Sequence, residues 1–133
     1  MKVLVDTSVR YLALRKTPRA EKDIDVVSRL TDVIKDSRVA IIGAIRHELL
    51  SGISSSEKFE QLKGRMRSFE DLPLNTEIYE LAAEFSNACR INGVQGSHTD
   101  FLICAVSAHY NIPVFTLDKD FESYRQHIEL KLY

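Results

Sequence analysis

The chain begins with a short apolar run that stops at a carboxylate, Val3-Leu4-Val5-Asp6. Consecutive apolar residues without alternation are typical of a strand that is buried on both faces, as in a parallel sheet covered by helices. Asp6 then falls where this strand ends. Because ligands of open α/β sheets bind at the carboxyl ends of the strands, this position predicts a functional site.

The rest of the sequence alternates short apolar strands with amphipathic helices. This order predicts a three-layer α/β/α sandwich with a mainly parallel sheet, and residues 1–133 suit one domain. Further strands are predicted at residues 39–42 and 114–117, a weak edge strand at 72–74 and a last strand at 128–132. Helices are predicted from Thr7 to Pro18 and at about residues 21–35, 44–50, 57–69, 76–91, 101–108 and 121–124.

Three further positions place acids at comparable element edges. Glu48 follows the second strand, Asp100 opens an apolar segment, and Asp118 follows the strand at 114–117, with Asp120 two residues later. Carboxylates that gather at one edge repel one another, and a bound cation relieves that cost. Magnesium and manganese prefer oxygen ligands, and the four histidines are too scattered to offer a softer site. The pattern therefore predicts a divalent metal site.

Each acid also has a purely structural explanation. Asp6 and Asp118 can cap the helices that follow them, and Asp100 can interact with the positive end of its own helix. Glu48 fits such an explanation less well, because a glutamate among the apolar residues of a short helix needs a partner. The joint pattern of acids is what favours a site.

Composition is that of an ordinary globular protein, 44% hydrophobic and 28% charged, with a net charge of −1. No apolar run approaches the roughly 20 residues that span a bilayer, and no signal-peptide pattern opens the chain, so we expect a cytoplasmic protein without a membrane association. The two cysteines, Cys89 and Cys104, fit no zinc spacing and are expected to be buried thiols.

Basic residues are concentrated in two stretches of the chain. If the acids gather in one cleft, these bases are left to form a rim that could hold phosphates around it. For any single lysine or arginine, a solvated helix face is the simpler explanation. The first group is Arg10, Arg15, Lys16, Arg19 and Lys22, and the second is Lys58, Lys63, Arg65 and Arg67.

Four short motifs, taken in order, resemble those of PIN-domain nucleases. The compact length is similar to that of the VapC toxins of prokaryotic type II toxin-antitoxin pairs. One position departs from these toxins, since Arg10 stands where they often carry a large apolar or aromatic residue. The motifs are Val5-Asp6-Thr7-Ser8, Ile45-Arg46-His47-Glu48-Leu49, Thr99-Asp100-Phe101-Leu102-Ile103-Cys104-Ala105 and Thr116-Leu117-Asp118-Lys119-Asp120-Phe121.

The resemblance implies a magnesium- or manganese-dependent endoribonuclease. Carried over by position, Asp6, Asp100 and Asp118 would hold the metal, and Glu48 would complete the catalytic set by binding it directly or through water. Family members differ in which acid of the fourth motif they use, so Asp120 is the second choice after Asp118. The RNA that is cut is not encoded in such short motifs.

The resemblance also implies partners and supporting groups. Ser8 and Thr116 match hydroxyl positions that orient the acids or a phosphate. A homodimer is implied, together with an antitoxin whose C-terminal segment lies along the early helices and whose arginine pairs with the acids.

Two other interpretations remain open from the sequence. The first is a PIN fold that is kept as a binding scaffold without catalysis, although an intact acid set argues against it. The second is a receiver-like signalling domain, which is also a parallel α/β fold with acids at strand ends. Such a domain has an acid pair near the first strand, whereas this chain has only Asp6 there, and Lys119 lies between two acids.

Overall fold

A four-stranded parallel sheet forms the centre of the computed structural model, which describes the backbone of residues 1–14 and 21–133 and the side chains of residues 1–10 and 21–133. The strands lie in the order β3-β2-β1-β4 and are flanked by helices, so the predicted fold class is confirmed. Val3 pairs with Val39, and Leu4 pairs with Val114. The strands are β1 (Val3–Val5), β2 (Val39–Ile41), β3 (Glu70–Asp71) and β4 (Val114–Phe115).

The helices begin close to where the sequence places them. Three helices begin directly after Ser55, Asn75 and Ser97, whose side chains cap them by accepting hydrogen bonds from backbone amides. The helix Glu21–Lys35 begins and ends where it was predicted. Within the described part of the chain, no helix is long and apolar enough to span a bilayer. The helices are α1 (Thr7–Leu14), α2 (Glu21–Lys35), α3 (Gly43–Leu50), α4 (Ser56–Met66), α5 (Thr76–Ile91), α6 (His98–Tyr110) and α7 (Asp120–Arg125).

The edge strand was predicted in the wrong place. It lies at Glu70–Asp71, before the Leu72-Pro73-Leu74 segment, because Leu72 makes the last bond to the ladder, from its amide to Ile41 O at 2.8 Å. Pro73 has no amide hydrogen with which to continue.

The C-terminal strands are shorter than predicted. β4 ends at Phe115, because the next residue, Thr116, turns the chain by accepting the Asp118 amide on its hydroxyl at 3.0 Å. The predicted strand at 128–132 is reduced to a single parallel bridge between Leu132 and Val114. The predicted helix end at Pro18 lies outside the described residues.

Helix α6 is the buried helix that its apolar sequence predicts. Phe101 and residues 103–107 are all buried. Cys104, on this helix, and Cys89, on α5, are free buried thiols as expected. Burial raises the pKa of both thiols, so neither is poised to react as a thiolate.

The predicted basic rim is only partly at the surface. Lys22, Lys58, Arg65 and Arg67 are exposed, whereas Lys63 is half-buried. Arg15, Lys16 and Arg19 lie outside the described residues.

Arg10 is the exception, since it lies in the interior. Only 8% of the residue is exposed, and its guanidinium stacks on the Phe69 ring at 4.1 Å from the centroid. Among the described residues, its buried Nε and Nη2 atoms have no hydrogen-bond partner. Burial, together with the positive charge of Arg46, lowers the pKa of Arg10 to about 10, which still leaves it charged at neutral pH. The residue that covers the guanidinium, Phe69, is distant in the sequence, so the burial of Arg10 could not be predicted from its neighbours in the chain.

An Arg10→Met substitution is therefore expected to stabilise the protein, by about 1 kcal/mol. Methionine keeps the length and apolar contact of the side chain but removes a buried charge, and the lost stacking on Phe69 offsets part of the gain. Urea unfolding at neutral pH measures the change. A variant less stable than the parent would show that Arg10 stabilises this interior in spite of its unpaired donors.

Candidate functional site

Asp6 lies at the carboxyl end of β1 and is held there by two hydroxyl groups. It is 6% exposed, and its Oδ2 accepts hydrogen bonds from Ser8 Oγ at 2.9 Å and Thr116 Oγ1 at 2.8 Å. Since both donors share one oxygen, they fix the rotation of the carboxylate. Both hydroxyls therefore make the contacts with Asp6 that the implied orienting role requires.

The same two hydroxyls also hold the loop after β4. Ser8 Oγ accepts the Leu117 amide at 2.9 Å, and Thr116 Oγ1 accepts the Asp118 amide at 3.0 Å. Each hydroxyl therefore links a loop amide to the Asp6 carboxylate. This arrangement places Asp118 at a defined position relative to Asp6, although the two residues belong to different strand ends.

Three carboxylates come together beside this network. Oxygens of Asp100, Asp118 and Asp120 all lie within 4.8 Å of one another. Asp118 Oδ1 also accepts the Asp120 amide at 2.9 Å, so it contacts the first residue of α7 and joins the cluster. It is not the N-cap residue considered above, because that position is Lys119, whose side chain makes no capping hydrogen bond. The two acids of the fourth motif are thus both at the site, and the choice between them remains a prediction.

Asp100 is bound by groups of two different elements. Its Oδ2 accepts the Tyr124 hydroxyl at 2.6 Å, and its amide donates to Ser97 Oγ at 3.0 Å. Burial raises the pKa of the Asp100 carboxyl, and the negative charges of Asp118 and Asp6 raise it further, whereas hydrogen bonds from Tyr124 and Ser97 oppose the rise. Asp6 is therefore close enough to interact electrostatically with Asp100, although it is not a member of the 4.8 Å group.

Glu48 has a different environment from the one expected. It is exposed on α3, because Ile45 and Leu49 are the residues of this helix that face the core. Its Oε2 accepts the Thr7 hydroxyl at 2.8 Å, which links it to the residue next to Asp6. Glu48 thus borders the site without joining the cluster of three carboxylates.

Two contacts at the site, those of Thr7 with Glu48 and of Tyr124 with Asp100, were not predicted from the sequence. Neither residue was given a role at the site: Thr7 stands in the first motif at the start of a predicted helix, and Tyr124 ends the helix predicted at residues 121–124. The signal for Tyr124 is its spacing of three residues from Phe121, which places both on the buried face of α7. Its bond to Asp100 could not be predicted, because it joins two helices across the fold.

The chain matches a known protein family over most of its length. The family profile described as PIN domain matches residues 3–126. This chain belongs to the PIN domain family. PIN domains are generally nucleases and typically use divalent metals. The family resemblance of the four motifs is thereby confirmed.

Solved structures share the fold of this PIN domain over nearly their whole length. FitAcB from Neisseria gonorrhoeae is 20% identical, with 98% of this chain and 96% of that chain covered and a TM-score of 0.77. VapBC2 from Rickettsia felis, bound to a promoter DNA fragment, is 20% identical, with 100% of this chain and 98% of that chain covered and a TM-score of 0.76. VapBC-1 from nontypeable Haemophilus influenzae is 16% identical, with 100% of this chain and 97% of that chain covered and a TM-score of 0.78. No curated protein matches the sequence significantly.

A Thr116→Val substitution is expected to lower nuclease activity of this PIN domain by roughly 10- to 100-fold. Valine has nearly the same shape but cannot donate to Asp6 or accept the Asp118 amide, so both acids lose orientation. Thr31→Val is the matched control, because the Thr31 hydroxyl also makes a 2.8 Å bond, to Val27 O on an exposed helix face. Equal activities of the two variants would contradict an orienting role for Thr116.

Proposed function

We propose that this PIN domain is a metal-dependent endoribonuclease and the toxin of a toxin-antitoxin pair. The observation that carries the proposal is the convergence of Asp100, Asp118 and Asp120 within 4.8 Å, beside the buried Asp6. Such a group of like charges is costly unless a cation compensates it. The residues fit that purpose, since all of their donor atoms are carboxylate oxygens.

Magnesium or manganese is the cation that this donor set suits, because hard divalent ions prefer oxygen ligands. Asp6, Asp100 and Asp118 would hold it, with Asp120 available to share the fourth motif's role. A bound divalent cation supplies a water of lowered pKa and positive charge beside the phosphodiester.

The chain's own residues would perform the remaining steps of hydrolysis. Ser8 and Thr116 keep the Asp6 carboxylate in one orientation, and Thr7 does the same for Glu48. Glu48 would position the attacking water and accept its proton, consistent with its location at the open border of the site. Attack in line with the scissile bond then expels the 3′-oxygen.

An RNA substrate requires that the acidic centre be flanked by positive charge. Lys58, Arg65 and Arg67 are exposed and could contact phosphates away from the acids. An RNA substrate also favours action in the cytoplasm. Residues 1–133 would then work as a single domain, without a membrane.

An antitoxin and a second copy of the chain are the proposed partners. Support comes from the solved structures of similar fold, which are VapBC and FitAB toxin-antitoxin proteins. An arginine of the antitoxin could pair with the clustered carboxylates and prevent metal binding. The homodimer follows from the family resemblance.

The PIN family match removes the receiver-like alternative. A PIN scaffold without catalysis is still a distinct outcome, and one experiment separates it from a nuclease. Purified protein is titrated with manganese by calorimetry, and the same sample is assayed on single-stranded RNA and on DNA of the same sequence, with magnesium, manganese or EDTA. We expect metal binding and metal-dependent cleavage of RNA alone. Metal binding without cleavage of either the RNA or the DNA would favour the scaffold. Cleavage of the DNA alone would overturn the proposed substrate.

A further inference from the structure

We propose that the Tyr124 hydroxyl is a positioning group for the Asp100 carboxylate, and that Gly96 is the residue that makes room for it. This inference rests on the proposed metal chemistry, because its consequence is the orientation of a metal-binding oxygen. It assigns a functional reason to a buried tyrosine and to a glycine that lie outside the four motifs.

The tyrosine is held rigidly. Tyr124 is fully buried, and its ring packs against Phe101 at 5.0 Å and Phe121 at 5.2 Å between centroids. Phe101 follows Asp100 on α6, and Phe121 lies on α7 with Tyr124 itself. A ring fixed on two sides cannot follow a carboxylate that rotates, so its hydroxyl defines where the Asp100 oxygen must be.

The bond itself is short and directional. Tyr124 Oη donates to Asp100 Oδ2 at 2.6 Å, a length typical of a hydroxyl bound to an ionised carboxylate. A carboxylate oxygen that accepts one donor keeps a further lone pair, and the other oxygen stays available. Partners of this kind orient the ligands of metal sites, and their loss typically lowers metal affinity by roughly 10- to 100-fold.

The bond also connects the two helices that carry the acids. Asp100 lies on α6, whereas Asp120 is the first residue of α7 and Asp118 lies two residues before it. Tyr124 lies one turn further along α7. Its bond to α6 therefore helps to set the separation of Asp100 from the two acids of the fourth motif.

The Tyr124 ring lies against Gly96. A Cβ atom there would lie 2.7 Å from Tyr124 Cζ and 3.0 Å from Cε1, and it would overlap the hydroxyl oxygen. Gly96 is not one of the glycines with a positive φ, so the need for glycine here is steric. Because the ring is packed on both sides, a side chain at position 96 is expected to displace the Tyr124 hydroxyl from Asp100.

The first test is a Tyr124→Phe variant, compared with Tyr110→Phe. The Tyr110 hydroxyl also makes a 2.6 Å bond, but to the carbonyl of Pro73, so each variant loses one tyrosine hydroxyl bond of equal length. We expect manganese affinity, measured by calorimetry, to fall roughly 10- to 100-fold in Tyr124→Phe and to stay unchanged in Tyr110→Phe. Cleavage by Tyr124→Phe should recover as manganese is raised to saturation, because the metal ligands remain.

A second pair of variants reaches the same bond without altering the tyrosine. Gly96→Ala should lower manganese affinity in the same range as Tyr124→Phe. Gly64→Ala is the control, since a Cβ at Gly64 would meet no atom of the described residues within 4 Å. This pair decides the question even if Tyr124→Phe does not fold.

The manganese affinities of these proteins distinguish the proposed metal chemistry from the positioning role of Tyr124. Wild-type protein that binds no manganese would reject the proposed metal chemistry together with this inference. Wild-type protein that binds manganese, with Tyr124→Phe and Gly96→Ala binding equally well, would reject the positioning role and leave the proposed function intact. An equal loss in Tyr110→Phe or Gly64→Ala would attribute the effect to general stability and also reject it.

Discussion

An Asp100→Asn variant is expected to lose manganese binding and RNA cleavage together, each by more than the roughly 100-fold that loss of an orienting partner causes. Asp100 is a direct member of the carboxylate cluster, and asparagine offers a neutral oxygen in place of a charged one. Calorimetry and a cleavage assay on the same samples measure both losses. Asp32→Asn, an exposed change on α2, is the matched control. Wild-type activity in Asp100→Asn would contradict the proposed site.

The same variant should be more stable than the parent when no metal is present. Burial is the main cause that raises the pKa of the Asp100 carboxyl, so the folded protein takes up a proton more readily than the unfolded chain. The stabilisation from that proton is complete below the unfolded pKa and is lost as the pH rises through the folded pKa. Asparagine avoids this loss because it carries no charge.

Thermal melts in EDTA over a falling pH series test this effect. The metal-free variant should melt above the wild type at neutral pH, and the difference should shrink as acid protonates Asp100 in the wild type. Added manganese should raise the melting temperature of the wild type alone. A variant that is less stable than the parent at neutral pH would show that the Tyr124 and Ser97 bonds outweigh burial.

The second large effect is expected from Arg46→Met, which should destabilise the protein by about 2–3 kcal/mol. Arg46 contacts both Asp71 oxygens at 2.9–3.2 Å and donates to the carbonyls of Met66 and Phe69 at 3.0 and 2.9 Å. These bonds attach the end of α4 and the short strand β3 to α3. The ion pair with Asp71 is partly exposed and contributes little, so most of the loss comes from the two carbonyls.

Urea unfolding measures the Arg46 effect, and hydrogen exchange locates it. Protection should fall first at the amides of β3 and the end of α4. Arg65→Met is the control, because it changes an exposed arginine of the same region. Arg46 repels the buried Arg10 charge, so removing Arg46 also relieves this repulsion and offsets part of the lost stability. In an Arg10→Met background there is no repulsion to relieve, and the destabilisation by Arg46→Met should be larger. Equal stabilities of Arg46→Met and Arg65→Met would show that β3 does not depend on this side chain.

Local chemistry made much of the fold predictable. Short apolar runs mark β1 and β2, and Ser55, Asn75 and Ser97 begin helices by the capping chemistry of their own side chains. These features depend on neighbours within a few residues, so a sequence pattern contains them. The edge strand was misplaced because its position depends on pairing with β2, which no local pattern records.

Arg10 shows why a charged residue could not be placed from the sequence. Charge predicts a surface position, and most of the basic residues described here follow that rule. Arg10 is buried because Phe69, which is distant in the chain, stacks on it. Burial of a long side chain is decided by the elements that pack around it, and those are known only once the chain has folded.

The sequence by itself determined that acids stand where strands end, because apolar patterns define the strands and a parallel arrangement brings their carboxyl ends to one edge. Only the tertiary structure decided which acids lie within reach of one another. It groups Asp100 with Asp118 and Asp120, and it leaves Glu48 bonded to Thr7 at the border. The physical reason is that separations of a few ångströms depend on how α6 packs against α7 and on hydroxyl bonds between distant segments, neither of which local sequence encodes.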